Sequence, residues 1–400
     1  MADQEDVVVI MKEKLISGAA AVLNVIYSVL KLLPVQKKIT YISRQSNTLP
    51  VDFQLVMREM KRRHPDYRQV PLIRMIGKGV RGKISYCFHI FCQMYHIATS
   101  EMIVLDTYCI AVSLLRQRDS LIVIQMWHAL GAMKKFGCSI LDKEEGTKRS
   151  LAEAMRMHKN YTYVFTSSKF CAPFFAEAFH VPLEKMVVMP LPRLDLLKDR
   201  VYVENVKKRI AFRYPGLLDS GKKILVYAPT FRKEGGSFEE EELKQAAERL
   251  AAGIDQERYQ LVVKFHPLSD IVLKDPSVIQ DREFSTIDFC QIADAVILDY
   301  SAVMFEVALL GKPMYFYTFD YDSYMRNRDV YLNFRKDIPG VITGDVEELL
   351  QAIERHASDP DRQMAFRDQM VSPSRSGSYT GDVADFFEKV LAEYRTEERR

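Results

Sequence analysis

Cysteine is scarce in this 400-residue chain and carries no pairing pattern. Cys87, Cys92, Cys109, Cys138, Cys171 and Cys290 include no Cys-x-x-Cys pair, and most lie in apolar runs such as Cys87-Phe-His-Ile-Phe-Cys92. A disulfide framework or a cysteine-built zinc site is thereby excluded, and buried free thiols in a reducing cytosol are expected. Glycine (17) and proline (16) are too sparse for a collagen-like or low-complexity chain. Net charge is only +3, which gives no ground to expect a nucleic-acid partner. The acidic opening, MADQEDVVVIMKEK, has no small-residue cleavage site after it and does not read as a secretory signal. A long uninterrupted apolar run is also missing. The one membrane-like stretch, 15–33, is broken by Ser17, Asn24, Ser28 and Lys31, so a spanning helix is not expected.

What is present is core-forming material. Hydrophobic residues make up 48% of a 46.3 kDa chain that holds 22 Phe and 20 Tyr, enough for two domains or one large α/β unit. Charge is unevenly spread. Residues 1–100 carry 15 Lys and Arg against 7 Asp and Glu, a net of +8, and the other 300 residues sum to −5. A basic first quarter points to an anionic partner on one side, for which phosphate-bearing membrane surfaces and nucleic acids are the two usual candidates. Lys12, Lys14, Lys31, Lys37 and Lys38 flank the 15–33 segment, as they would a helix lying in a headgroup layer. A buried helix closing the first domain is the other reading. Further basic residues, among them Arg62, Arg63, Arg68, Arg74, Lys78 and Arg81, fit a face toward an anionic surface.

From about residue 39, short apolar runs alternate with helical stretches. Strands are expected at 39–43, 101–106, 121–126, 163–166 and 186–189, then at 223–227, 260–264, 295–298 and 313–317. Helices are expected at 150–159, 172–179, 238–251, 303–310 and 346–357. Such alternation implies parallel sheets with crossover connections. The charged stretch 195–221 reads as a hinge between two doubly wound Rossmann-like domains facing across a cleft. Their expected bounds are 1–200 and 201–372, with a final helix over 373–400.

Several strand ends carry unusual residues. Strand 121–126 delivers the only tryptophan, Trp127, then His128, into a loop with Gly131, Lys134 and Lys135. A histidine there sits where α/β folds place their chemistry, and its pKa suits proton transfer near neutrality. Strand 260–264 ends in Lys264, Phe265, His266 and Pro267, a second terminal histidine. The end of strand 223–227 offers Thr230, Arg232 and Lys233, groups suited to a phosphate. Strand 295–298 meets Asp299, Tyr300, Ser301 and Ala302 ahead of a helix containing Glu306, with Ser301 expected to cap that helix and open a phosphate seat. Asp320 and Asp322 have the spacing of a metal-binding pair but read as loop charges, so neither a metal nor a cofactor is expected.

Together, WH-x-x-G-x-x-KKFG, YAPTFR, KFHP and LDYSAVMFE with GKPMYFY resemble the CDP-glycerol glycerophosphotransferase family of teichoic-acid synthesis. SKFCAPFFAEAF, Pro190-Leu-Pro-Arg-Leu-Asp195 and 329–340 look like the family's connecting elements. The resemblance covers about 35–385 and implies a GT-B fold, with the nucleotide donor in the C-terminal domain and the acceptor on the N-terminal side. It implies His128 as general base on the acceptor hydroxyl and His266 at the donor diphosphate. Thr230, Arg232, Lys264, Pro267, Asp299, Tyr300, Ser301, Ala302 and Glu306 are implied donor contacts, and Trp127, Gly131 and Lys134 belong to the acceptor-side loop.

The chain departs from the family where Ala302 replaces a second serine and where the Trp-His loop is one residue longer. The longer loop resembles the polyol-phosphate polymerase branch, which includes ribitol-phosphate enzymes. The implied reaction transfers a glycerol- or ribitol-phosphate unit from CDP-glycerol or CDP-ribitol to a polyprenyl-diphosphate-linked glycan acceptor, releasing CMP. The implied location is peripheral, on the cytoplasmic face of a bacterial cell membrane. The alternative enzyme is a GT-B glycosyltransferase moving a sugar from a nucleotide sugar to a lipid-linked acceptor. A membrane-surface scaffold is the non-enzymatic alternative.

Overall fold

The computed structural model describes residues 2–77, 79–143, 146–232, 237–326 and 329–398. Lys78 and Lys233 lie outside the described residues. The chain divides into two units. The first takes the chain up to Ala129, Lys135–Arg193 and everything from Ser372 on; the second takes Leu194–Val371 and the short segment Leu130–Lys134.

The first unit is built on a parallel six-stranded sheet of β1 (Gln36–Ser43), β2 (Arg68–Ile73), β3 (Ser100–Leu105), β4 (Ile122–Gln125), β5 (Tyr163–Thr166) and β6 (Met186–Val188). Its order is β2-β1-β3-β4-β5-β6, and every pairing is parallel. All four residues of β4 are buried, as expected of a strand covered on both faces by helices. Because β1 has β2 on one side and β3 on the other, the direction of winding switches between β1 and β3. Ligands of open α/β sheets gather at the carboxyl ends beside such a switch.

Three helices frame that sheet. α1 (Ala2–Leu30) buries Tyr27, whose hydroxyl donates to Gln117, but leaves Val22, Val25 and Val29 more than 60% exposed. α2 (Val51–Arg63) buries Phe53, Val56 and Met60 on one stripe. α3 (Gly79–Thr99) packs on α1 and leaves Val80, Ile84, Phe88 and Phe91 in solvent, Phe88 by 71%. Among the described residues no helix is long and apolar enough to cross a membrane.

Three sequence expectations are corrected here. All six cysteines are free, but Cys87 and Cys92 are exposed on α3 rather than buried, because they lie on the helix's solvent side. Arg63 does not present free charge: it pairs with Glu59 and with Asp385 and Glu388 of the C-terminal helix Tyr379–Glu398, while Arg62 shares Glu59 and stays exposed. The stretch read as a hinge holds a 14-residue helix, Arg200–Arg213, capped by Asp199, which accepts from Val201 and Tyr202 N–H. Its charged surface hid the two residues it buries, Val206 and Ile210.

The second unit repeats the architecture with β7 (Lys223–Tyr227), β8 (Tyr259–Val263), β9 (Ile279–Gln280), β10 (Ala295–Leu298), β11 (Met314–Tyr317) and β12 (Val341–Thr343). The order is β12-β11-β10-β7-β8-β9, again all parallel, so its switch lies between β7 and β10. Leu225, Tyr227, Val263, Ile297 and Tyr317 from the sheet pack with Leu250, Leu349 and Ile353 from helices. Each such buried aliphatic side chain contributes about 1.5–3 kcal/mol relative to exposure.

Candidate active site

In the second unit the switch-point strands deliver their terminal residues to each other. The Asp299 carboxylate, after β10, accepts from Thr230 N–H at 2.8 Å, and also from Thr230 Oγ1. Arg232 is buried, donates through Nε to Asp320 at 2.8 Å, and pairs through Nη1 with Asp299 at 3.0 Å. Burial opposes that charge, but Asp299 and Asp320 outweigh it and raise the guanidinium pKa above its ordinary value. Tyr300 donates to the other oxygen of Asp320 at 3.1 Å and stacks on Tyr324 at 3.7 Å. Arg232 Nη2 is buried and has no hydrogen-bond partner among the described residues. Asp320 thus serves as an ion-pair partner, and among the described residues no three His, Cys, Asp or Glu gather as a metal site. Beyond it, a cavity of about 600 Å³ opens at the ends of β11 and β12, lined by Thr318, Asp322, Arg335 and Thr343 among others.

Lys264 and His266 follow β8. The Lys264 ammonium donates to Phe284 O at 2.6 Å, to Asp281 O at 3.0 Å and to the Asp281 carboxylate. An ammonium has three donors, so all of them are engaged in fastening the 281–284 loop. His266 and Pro267 are exposed. The His266 ring stacks on Phe231 at 5.0 Å, and its Nδ1 accepts from Leu268 N–H at 3.2 Å. With Nδ1 accepting, the neutral ring carries its proton on Nε2, which is a donor. Desolvation lowers the pKa of this imidazole.

The element after β10 is corrected. The helix starts at Met304, not at Ser301, and its N-cap position is Val303, whose side chain cannot cap. Met304 and Phe305 N–H donate to the carbonyls of Ser301 and Ala302, three residues back, so a tighter turn comes before the helix. Ala302 is exposed. Glu306 is buried in the first turn of the helix, where its charge, after burial itself, helps push the Cys290 thiol up to about 12.

In the first unit, Trp127 sits just past β4 with φ at +60°, a left-handed conformation that is costly for a bulky residue. Gln125 Oε1 accepts its N–H at 3.0 Å, and its ring stacks on Phe136 at 5.1 Å. Trp127 is therefore an anchor in an aromatic cluster. His128 Nδ1 lies 2.9 Å from the main-chain oxygen of Asp106, after β3. A carbonyl only accepts, so the proton is on Nδ1 and Nε2 keeps a lone pair. Solvent reaches His128, yet enough protein surrounds the ring that desolvation lowers its pKa. Asp106 O and Asp52 act in the opposite sense, and Arg193 reinforces the lowering. Gly131 and Lys134 belong to the second unit. A Cβ on Gly131 would stand 2.5 Å from the Phe305 ring, and Lys134 Nζ lies 4.9 Å over Tyr324.

The structure thus gathers Thr230, Arg232, Asp299 and Tyr300 tightly, places His266 beside them through Phe231, and keeps Lys264 in a separate buried pair. Sequence reasoning missed Asp52, Asp106, Arg193, Asp281 and Tyr324 as site partners. Only Asp320 had carried a signal, through its spacing from Asp322.

Two Rossmann-like units, each on a parallel six-stranded sheet, make this a GT-B-type α/β protein. The chain belongs to the CDP-glycerol:poly(glycerophosphate) glycerophosphotransferase family, whose model matches residues 25–380. It is 33% identical to a teichoic acid ribitol-phosphate primase of Bacillus spizizenii over 90% of this chain and 93% of that one. It is 32% identical to a teichoic acid glycerol-phosphate primase of Bacillus subtilis over 66% and 68% of the two chains. The solved structure of the wall teichoic acid polymerase TagF superposes with a TM-score of 0.71 at 20% identity, covering 96% of this chain and 98% of that one, a likeness of fold. The chain is thus one of the teichoic acid polyol-phosphate transferases, and the sugar-transferring alternative is not favoured.

Proposed function

We propose that the protein transfers a ribitol- or glycerol-phosphate unit from a CDP-polyol to a hydroxyl of a polyprenyl-diphosphate-linked acceptor, releasing CMP. The observation that carries this reading is the opposite partner at Nδ1 of two strand-end histidines, a carbonyl at His128 and an N–H at His266, which leaves the first a free Nε2 lone pair and the second an Nε2–H. His128 Nε2 takes the proton of the acceptor hydroxyl. That oxygen attacks the polyol-bearing phosphorus, the bond from phosphorus to the CMP oxygen breaks, and CMP leaves. Such a displacement needs positioning and charge stabilisation more than covalent chemistry. Negative charge growing on the leaving phosphate is met by His266 Nε2–H, Arg232 Nη2 and the Ser301 hydroxyl. Thr230, Asp299 and Tyr300 hold Arg232 in place. The first unit serves the acceptor and the membrane, and the second unit the donor. CDP-ribitol is the donor to try first, because the ribitol-phosphate primase is matched over more of this chain than the glycerol-phosphate primase.

The exposed apolar residues of α1 and α3, with exposed Lys14, Arg81 and Arg116, support peripheral attachment to an anionic membrane on its cytoplasmic face. Phe88→Ser with Val25→Ser should weaken binding to vesicles of anionic lipid, and raised salt should weaken it further. The reaction itself is tested by incubating the protein with CDP-ribitol, CDP-glycerol and UDP-sugars plus a lipid-linked acceptor, and measuring CMP release. Turnover of a UDP-sugar alone would sink the reading.

A further inference from the structure

We propose that Arg193, braced by Asp52, is a positioning residue for the acceptor-side base. The inference rests on the reading of His128 as that base. Arg193 lies in Pro190-Leu-Pro-Arg193-Leu-Asp195, a motif to which neither donor nor acceptor chemistry has assigned a task.

Its contacts assign one. The Arg193 main-chain N–H and Nη1 both go to the Asp52 carboxylate, at 2.8 and 2.9 Å, and Nη2 reaches the carbonyl oxygen of His128 at 3.0 Å. Asp52 is itself fixed. It is 7% exposed, in the first turn of α2, whose buried Phe53, Val56 and Met60 set the helix on the sheet. A strut therefore runs from a packed helix, through a charge pair, to the backbone of the histidine.

The loop needs bracing because Trp127 is held left-handed immediately before His128. Three pins hold it: Gln125 on the Trp127 N–H, the Asp106 carbonyl on the imidazole, and Arg193 on the His128 carbonyl. The third requires arginine. A planar fork can grip a carboxylate and a carbonyl at once, whereas an ammonium is a point charge. Arg193 and Asp52 also bear on the imidazole with opposite sign. A further ionisable neighbour, Asp106, touches the ring through its main chain, and its buried carboxyl is itself raised to about 6.

The experiment follows His128 by NMR through a pH titration of the 400-residue chain, alongside kcat and donor KM. Arg193→Gln should raise the His128 midpoint and lower kcat about 10- to 100-fold, with donor KM within about threefold. Arg193→Lys, which keeps the charge and spares the fold, should hold the midpoint but still lose about tenfold in kcat. Asp52→Asn should move the midpoint down. An Arg193→Gln midpoint that stays put with kcat within about twofold overturns the proposal, and so does a fully active Arg193→Lys. A fully active His128→Gln would instead overturn the base reading, while the midpoints still report whether Arg193 and Asp52 act on that ring.

Discussion

His128 and His266 occupy equivalent places, each shortly past the carboxyl end of a parallel strand, yet their neighbours give them opposite tautomers. At His128 the partner of Nδ1 is an acceptor, the Asp106 carbonyl; at His266 it is a donor, the Leu268 N–H. Desolvation is the largest influence on both rings and lowers the pKa of each. On the proposed reading, the base and the anion-binding donor are one residue type, set apart by the sense of a single hydrogen bond.

The largest expected effect breaks or keeps that distinction directly. Glutamine has no basic lone pair but does carry an amide N–H. His128→Gln should lose about 10²–10⁴-fold in CMP release, the usual contribution of a general base. His266→Ala should lose about 10²–10³-fold, as when one charge-stabilising donor is removed, and His266→Gln should recover about tenfold of it. Equal rates for the two His266 variants would refute the donor role.

The second contrast lies in how each region is braced. The switch point of the second unit relies on buried ion pairs, so Arg232→Met strands Asp299 and Asp320 without their cation. Breaking a buried pair from one side typically costs about 3–5 kcal/mol, which urea unfolding at neutral pH would register. A loss under about 1 kcal/mol would mean that the cluster is better hydrated than its burial implies.

The first unit relies instead on an aromatic cluster containing His158, which is buried, bonded to the Tyr161 hydroxyl and lowered to about 4 by desolvation. Between pH 6.5 and about 4 the unfolded chain binds a proton there that the native state refuses, so stability falls as pH falls. From His158 alone the loss is about 2 kcal/mol between pH 6.5 and 5. Asp106, raised to about 6, works the other way and offsets part of it. His158→Asn keeps a residue tolerant of the left-handed backbone there and should flatten this slope in denaturant titrations at the two pH values. An unchanged slope would reject the assignment.

The smallest expected effect concerns Gly131. Alanine there must displace the Phe305 ring, at about 1–3 kcal/mol by the usual cost of overpacking, read as a lowered thermal midpoint. No change would show that the ring yields freely.

Much of this fold was legible because central parallel strands are continuous apolar runs: 163–166, 223–227 and 295–298 match the observed strands residue for residue. What escaped was polar or atypical. Edge strand β2 contains Pro71, tolerable only because it lies at the sheet margin, and its Arg68 and Gln69 disguised it as a surface segment. α3 was hidden by the absence of any clear start signal. Of the candidate site, the placement of Thr230, Arg232, Asp299 and both histidines past strand ends was readable, because the strands before them are apolar runs. Their partners were not. Asp52 and Arg193 lie 141 positions apart, and a single aspartate in a helix's first turn reads only as helix stabilisation.

The outward-facing stripes of α1 and α3 also bear on colloidal behaviour. With Phe88 71% and Val25 68% exposed, these surfaces will adhere to each other in concentrated aqueous solution unless something amphiphilic covers them. Recovery, solubility limit and apparent molecular mass should therefore depend on surfactant more than on pH. Crystallisation trials and kinetic assays alike would best begin in mild detergent or with short-chain lipid.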